Sequence, residues 1–173
     1  MKSNILLVSL DYDFTKAVAI KLANYFDMHY LDIQGLIEYS LMDKENMKLK
    51  CGLEYVEREE QKIATSARNY ENAVINFPYD LFMKNGNSIN LNDTSITIFI
   101  KINDNLLYNL NSKKDGEKKL VVELITQNEL SEILEKKTEA VVEIKSIDEN
   151  ECVHEIVEKL REILSKMGDL LWI

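Results

Sequence analysis

The chain alternates between short apolar runs and longer segments with helical spacing, and this alternation is the feature that most limits its fold. Asn4–Leu10 and Ser95–Ile102 are the clearest apolar runs, each of a length that suits a strand buried on both faces. Further strands are predicted at His29–Ile33, Ala73–Asn76 and Ala140–Ile144. About five strands separated by helices predict a three-layer α/β sandwich with a parallel sheet, in which Ser95–Ile102 is central.

Helices are predicted between the strands, where apolar residues recur every three or four positions among good helix formers. The predicted helices cover Lys16–Phe26, Gly35 to Leu41 or Met42, Glu54–Tyr70, Asp104–Leu110, Glu129–Lys137 and Glu151–Met167. The predicted loops are Asp43–Lys50, Lys84–Thr94 and Asn111–Lys119. Thr126 or Asn128 is the predicted cap of the fifth of these helices and Asp148 that of the last.

Composition narrows the class of protein further. A length of 173 residues fits one domain spanning 1–173, and 30 acidic against 21 basic residues give a net charge of −9, which disfavours nucleic acid as a partner. Cys51 and Cys152 are far apart and lack the paired spacing of zinc or redox sites. Asp11 and Asp13 interrupt the first apolar run, and no later run is long enough to span a membrane. We therefore expect a cytoplasmic protein with no membrane partner.

The turn after the first predicted strand, residues Ser9–Lys16, is the first place to look for a site. In a parallel α/β fold the helix N-terminus that follows such a turn can bind an anion. A phosphate-binding loop of the form GxxxxGK[ST] needs glycines for close backbone approach, a lysine for the phosphate oxygens and a hydroxyl for magnesium. The sequence of this turn, SLDYDFTK, has none of these residues in register.

Asn4–Glu38 nevertheless resembles the opening of the shikimate kinases, a family of P-loop kinases, and can be aligned with it without a gap. In that register Ser9 and Phe14 replace the two loop glycines, Thr15 replaces the phosphate-binding lysine and Lys16 replaces the hydroxyl residue. The resemblance implies the family's three-layer fold and a vestigial nucleotide-binding loop. That loop comprises Ser9, Asp11, Tyr12, Asp13, Phe14, Thr15 and Lys16.

The same resemblance implies positions for the metal and the substrate. Asp32 takes the place of the family's magnesium-associated aspartate, and Gln34 replaces its substrate-binding aspartate. Val56 stands where a substrate-binding arginine is expected, with Arg58 as a displaced substitute. The family's glycine triplet falls near Asn76, where this chain has no glycine.

A lid-like loop is expected at residues 111–120, where the family carries a catalytic arginine. Lys113–Lys119 contains four lysines and no arginine, and lysine does not reproduce the planar, bidentate contact of a guanidinium with phosphate. Asp11 and Asp13 would repel a polyphosphate, and Phe14 adds bulk where backbone must approach it.

These replacements predict a shikimate kinase-like protein that has lost ATP binding and phosphoryl transfer and acts by binding or regulation, with no cofactor. The alternative is a divergent small-molecule kinase that uses ATP and magnesium, with Lys16 in place of the missing lysine, Asp13 as a catalytic candidate and Asp32 on the metal. A third hypothesis comes from Asp11-Tyr-Asp-Phe-Thr15, which resembles the DxDxT motif of haloacid-dehalogenase-like phosphatases. There Asp11 and Asp13 would be nucleophile and acid–base, whereas their simpler role is to cap the following helix.

The C-terminal residues Leu170, Leu171, Trp172 and Ile173 form an apolar tail on an acidic chain. Such a tail either folds back on its own domain or contacts another protein. The partner hypotheses are a homodimer or a partner contact through this tail, and an unknown protein or small-molecule ligand for the remodelled cleft.

Overall fold

The computed structural model describes residues 2–84, 86–103 and 120–167, with the side chains of residues 120–127 and of residue 167 excepted. Its core is a five-stranded, all-parallel sheet with helices on both faces, in the strand order β2-β3-β1-β4-β5. The strands are β1 (Asn4–Val8), β2 (His29–Asp32), β3 (Ala73–Asn76), β4 (Ser95–Ile102) and β5 (Ala140–Ile144). The predicted parallel α/β sandwich is confirmed.

The position of the longest strand differs from the prediction. Ser95–Ile102 was expected at the centre, but the middle place belongs to β1, which pairs with β3 on one side and β4 on the other. Strand order follows from how the crossovers wind around the sheet, and the apolar content of one strand does not determine it.

Eight helices are assigned in the described ranges, together with a short 3-10 turn at Ala67–Asn69. They are α1 (Tyr12–Phe26), α2 (Ile33–Leu41), α3 (Lys44–Cys51), α4 (Leu53–Ser66), α5 (Tyr79–Met83), α6 (Asn87–Thr94), α7 (Leu120–Lys137) and α8 (Glu149–Met167). The predicted helix 104–110 and loop 111–119, which includes most of the lid-like segment, lie outside the described residues.

Two predicted loops are helical. The prediction of a loop at Asp43–Lys50 was wrong: α3 begins there because the Asp43 carboxylate accepts a hydrogen bond from the Asn46 backbone N–H, and no residue of α3 is buried. The prediction of a turn through Lys84–Thr94 was wrong for α6, whose Asn87 is only 2% exposed. Neither helix has an apolar stripe for a periodicity argument to detect.

One of the two capping predictions is confirmed and the other is wrong. Asp148 caps α8, since its carboxylate accepts from the backbone N–H groups of Asn150 and Glu151. The prediction of a cap at Thr126 or Asn128 was wrong, because both residues lie within α7 and not at the start of a helix.

The three inner strands of the sheet are buried on both faces, and β1 shows this most clearly. All five of its residues are buried. Ile5 and Leu7 join the apolar cluster under α1 and α8, whereas Leu6 and Val8 join the cluster on the opposite face with residues of α2 and α4. This alternation is the two-residue period of a strand. Because β1, β2 and β3 pair in parallel, their ends lie at one carboxyl edge of the sheet.

Candidate site at the carboxyl edge of the sheet

The turn between β1 and α1 is tight, with only Ser9, Leu10 and Asp11 between strand and helix. The Asp11 carboxylate accepts a hydrogen bond from the Phe14 N–H at 2.9 Å, and the Asp11 carbonyl oxygen accepts one from the Thr15 N–H at 3.2 Å. The Asp11 N–H itself donates to the Ser9 hydroxyl at 3.0 Å. The Asp11 and Phe14 N–H groups at this helix end are therefore engaged, and the chain's own carboxylate lies there.

The side chains that follow in α1 explain why the turn is compact. Phe14 is 7% exposed and packs in the core cluster under α1 and α8. Thr15 is 1% exposed, and its hydroxyl donates to the Asp11 carbonyl oxygen at 2.8 Å. Asp13 is exposed in the first helical turn. With Ser9, which is 2% exposed, three positions of the vestigial loop thus belong to the protein interior.

Asp32 is the centre of a polar cluster at the end of β2. One carboxylate oxygen accepts from the Tyr12 hydroxyl at 2.5 Å and from the Gly35 N–H at 2.9 Å. The other lies 2.8 Å from the Lys16 ammonium. Tyr12 and Lys16 both come from α1, so the carboxylate joins the first helix to the start of the second.

Gly35 and the backbone groups around the Tyr12 hydroxyl fit this arrangement. A Cβ atom at Gly35 would lie 3.0 Å from Asp32 Cγ and from its Oδ2, so any larger residue would crowd the carboxylate. The Tyr12 hydroxyl accepts a hydrogen bond from the Gln34 N–H at 3.1 Å and lies 3.3 Å from the Asn76 carbonyl oxygen. The phenol therefore contacts the ends of both β2 and β3.

The charge states of the cluster follow from these contacts. Burial raises the pKa of Tyr12 well above its ordinary value, and its hydrogen bond to Asp32 raises it further. Burial alone raises the pKa of Asp32, but the hydrogen bonds from Lys16 and Tyr12 outweigh it and hold that pKa below its usual range. The hydrogen bond to Asp32 raises the pKa of Lys16. The cluster is a carboxylate, an ammonium and a neutral phenol.

Beside this cluster lie buried polar atoms that lack partners. Asn76 is 0% exposed, and its side-chain nitrogen and oxygen, like the Tyr30 hydroxyl, make no contact of hydrogen-bonding geometry with the described residues. Burial raises the pKa of Tyr30, the Asp32 charge raises it further and Asn76 lowers it, so the three side chains are neighbours. Asn76 also pairs with Asp32 in the β2–β3 register.

The remaining predicted site residues lie on other surfaces or in the core. Gln34 donates from its side-chain amide to Glu38 at 3.0 Å. Val56 is fully buried in the apolar cluster that includes α2 and α4. The Arg58 side chain is 64% exposed, and its guanidinium carbon lies 5.5 Å from the centre of the Tyr55 ring.

The sequence did not reveal the contacts that organise the cluster. Tyr12 was assigned to a nucleotide loop, whereas its hydroxyl binds Asp32, 20 residues further along the chain. Tyr30 was assigned no role. The parallel order of the strands could have predicted this contact. The end of β2 and the start of α1 both lie at the carboxyl edge of a parallel sheet.

The fit of a magnesium ion can be tested on Asp32. Mg²⁺ prefers oxygen ligands in near-octahedral geometry, but the Lys16 ammonium occupies one side of this carboxylate at 2.8 Å. In the described parts of the chain, no group of three or more His, Cys, Asp or Glu side chains converges as a metal site does. As arranged, these residues do not fit a bound magnesium ion.

The fold has clear counterparts among solved structures. A shikimate kinase from Bacteroides thetaiotaomicron superposes with a TM-score of 0.77 at 16% identity, covering 94% of this chain and 98% of that one. The chain has the shikimate kinase fold. A shikimate kinase from Acinetobacter baumannii in complex with shikimate gives a TM-score of 0.73 at 16% identity, over 96% of this chain and 95% of that one.

The shikimate kinase fold extends to related kinases. A gluconokinase from Sinorhizobium meliloti 1021 gives a TM-score of 0.67 at 14% identity, over 96% of this chain and 95% of that one. No protein-family model matches the sequence, and no curated protein does. The fold implied by the residues of Asn4–Glu38 is confirmed. Of the helices in the described ranges, none has the length and apolar character needed to cross a bilayer.

Proposed function

We propose that this shikimate kinase-like protein is a non-catalytic binding or regulatory protein, which does not transfer phosphoryl groups. The observation that carries the proposal is that both sites needed for Mg-ATP are filled by the chain itself. The Asp11 carboxylate lies at the N-terminus of α1, and the Lys16 ammonium lies on Asp32. The protein would act in the cytoplasm on a protein or small-molecule partner, without a cofactor.

The phosphate side of the proposal rests on charge and on hydrogen bonds. A phosphate needs free N–H groups at the helix end, whereas that of Phe14 is already bonded to the Asp11 carboxylate. A negative charge about 4 Å from the Asp11 carboxylate would be repelled by roughly 4 kcal/mol at an effective dielectric constant near 20. Both effects act against a nucleotide.

A second candidate, a divergent small-molecule kinase, is favoured by the position of Lys16. Its side chain is 46% exposed and lies at the carboxyl edge, where a phosphate-binding cation is useful. If Lys16 turned towards a nucleotide, Asp32 would be released for magnesium. Asp13, in the same helical turn, would then be the nearby catalytic carboxylate.

The phosphatase hypothesis loses its support at Asp11. That residue would be the nucleophile, but its carboxylate accepts the Phe14 N–H as the cap of α1, as the simpler interpretation predicted. We do not propose phosphatase activity.

Isothermal titration with Mg-ATP, followed by shikimate, tests the proposal at near-physiological salt. The proposal expects no heat of binding up to millimolar ligand. Binding of ATP at micromolar concentration would contradict it and support the kinase.

Turnover with a matched pair of variants then separates the two candidates. A divergent kinase requires Lys16→Ala to abolish turnover, while Lys21→Ala should retain it, since Lys21 pairs with Glu149 one helical turn or more away from the cluster. A non-catalytic protein shows no turnover above background for the unmodified chain or either variant.

A further inference from the structure

Five polar side chains converge on one face of the sheet at its carboxyl edge. Asp32 and Asn76 are register partners on β2 and β3, and Tyr30 precedes Asp32 by two residues, so the three side chains share a face. Tyr12 and Lys16 reach Asp32 from α1, which packs on that same face. All five residues lie in the described part of the chain, whereas the apolar tail at residues 170–173 lies outside it.

Negative charge surrounds Lys16 at this edge. The hydrogen bond to Asp32 and the charge of that carboxylate raise the pKa of Lys16 most, and the charges of Glu38 and Asp13 raise it further. One ammonium thus faces three carboxylates, and the field of the edge is negative. Such a field repels a phosphate and attracts a cation.

A fully buried amide beside Asp32 has no partner among the described residues. Asn76 is 0% exposed, and neither its side-chain oxygen nor its side-chain nitrogen makes a hydrogen bond to the described chain. Burial raises the pKa of the Tyr30 hydroxyl, which is unpaired in the same sense, and the neighbouring Asp32 and Asn76 shift that pKa in opposite directions. Buried polar atoms are rarely left unbonded in proteins, so these atoms indicate a molecule that bonds to them.

A primary ammonium group matches the acceptors at this edge. It carries three N–H donors. Asp32 Oδ2 already accepts such a group, since the Lys16 ammonium lies 2.8 Å from it. The Asn76 oxygen and the Tyr30 hydroxyl are two further acceptors. The Lys16 side chain is 46% exposed, so it can turn into solvent and leave the carboxylate to a ligand.

We propose that the carboxyl edge binds a small organic cation, whose primary ammonium group replaces Lys16 on Asp32 and hydrogen-bonds to Asn76 and Tyr30. This inference rests on the proposed binding function, because it gives to an amine the carboxylate that a kinase would use for magnesium. The ligand is small, since the Asp32 side chain is only 16% exposed. A second cationic group on the ligand would be favoured by the negative field at this edge.

The probe is diaminobutane, added to the isotope-labelled protein and followed by NMR at the Gly35 amide, because that N–H donates to Asp32 at 2.9 Å. The proposal expects a saturable shift of this signal. Butanediol and succinate have the same chain length without the ammonium groups and should not produce it. No saturable shift with the diamine would overturn the proposal in favour of an internal water on Asn76. Equal shifts with the diamine and the diol would overturn it as well.

Variants test each part of the site. Lys16→Met should tighten diamine binding about fivefold, because it removes a competing ammonium whose solvent-screened pair with Asp32 is weak. Asn76→Leu should weaken binding several-fold, since it removes both polar atoms and keeps the bulk of the side chain. Tyr30→Phe removes only a hydroxyl and gives the same test if leucine disturbs the fold. Glu143→Gln removes an exposed carboxylate of β5 and should leave the affinity unchanged.

The outcomes separate this inference from the proposed function. Weaker diamine binding by Lys16→Met, or unchanged binding by both Asn76→Leu and Tyr30→Phe, would contradict the amine site. Binding of Mg-ATP would overturn the proposed function itself. A protein that binds neither the diamine nor Mg-ATP would overturn this inference alone.

Discussion

Two turns at the carboxyl edge have the same local structure and different consequences. Asp11 begins α1 and Asp32 begins α2, with nearly identical backbone angles of φ −108°, ψ 103° and φ −105°, ψ 101°. Each carboxylate accepts the N–H three residues ahead. Asp32 alone of the two also holds the Lys16 ammonium and the Tyr12 hydroxyl, both contributed by α1.

The difference shows that the same capping motif can stabilise one helix alone or can also hold separate elements together. The Asp11 cap organises a single helix, whereas the Asp32 cap fastens two helices and the ends of two strands. The second arrangement uses up a carboxylate that, in the kinase hypothesis, would hold magnesium. Substitutions of Asp32, Tyr12 and Asp11 test this difference between the two turns, and they are given in order of expected effect.

Asp32→Ala should have the largest effect, destabilising the protein by about 2–4 kcal/mol. It removes a helix cap worth about 1 kcal/mol and leaves the partly buried Tyr12 hydroxyl with only the longer contact to the Asn76 carbonyl oxygen, at about 1–3 kcal/mol. Urea unfolding measures the change. A loss no larger than that of Asp11→Ala would show that the tertiary contacts of Asp32 contribute nothing.

Tyr12→Phe should cost about 1–2 kcal/mol, because the Gln34 N–H loses its acceptor and the Asp32 carboxylate loses a donor. Tyr39→Phe is the matched control, since the Tyr39 side chain is 83% exposed and its change should be close to zero. Equal free energies of unfolding for the two variants would contradict the role of the Tyr12 hydroxyl.

Asp11→Ala should cost about 1 kcal/mol, the value of one helix cap. Asp11→Ser retains a capping oxygen and should be nearly neutral in stability, while removing the charge that opposes phosphate. If that charge blocks an anion site, inorganic phosphate should bind more tightly to Asp11→Ser than to the unmodified chain by NMR titration. Unchanged phosphate affinity would mean that the Asp11 charge is not what excludes the anion.

The smallest effect is the pH dependence of the Lys16–Asp32 pair, since the Lys16 side chain is 46% exposed and solvent-screened pairs contribute about 0–1 kcal/mol. The folded pKa of Asp32 is depressed, so its contribution is present above the unfolded value of 3.8 and is lost as pH falls through the lower folded value. The stability difference between the unmodified protein and Asp32→Asn should therefore shrink below about pH 4. A difference that stays constant from pH 7 to pH 2 would contradict the depressed pKa.

The strands were predicted more accurately from the sequence than helices α3 and α6, for a physical reason. Strands Ala73–Asn76, Ser95–Ile102 and Ala140–Ile144 were predicted with the bounds that the structure shows, because each is a short run rich in apolar and β-branched residues. Helices α3 and α6 were missed, because neither carries an apolar stripe. A sequence pattern predicts only those elements whose stability depends on that pattern.

The candidate site was predicted in place but not in its contacts. Loop Ser9–Lys16, Asp32 and Asn76 were selected from the sequence, and the register brings the ends of their strands to one edge. Val56 was assigned to a substrate cleft by alignment alone, and the structure places its side chain in the apolar core. An alignment states which position a residue occupies and does not state which neighbours its side chain meets.

By itself, the sequence determined that the chain forms a parallel α/β sheet, and that the turn after β1 lacks the residues of a phosphate-binding loop. Those properties depend on residue type and on neighbours along the chain. Only the tertiary structure decided that β1 is central and that Asp32 is bound by Tyr12 and Lys16. Such contacts join residues 16–20 positions apart, and they exist only after the crossovers have brought the strand ends together.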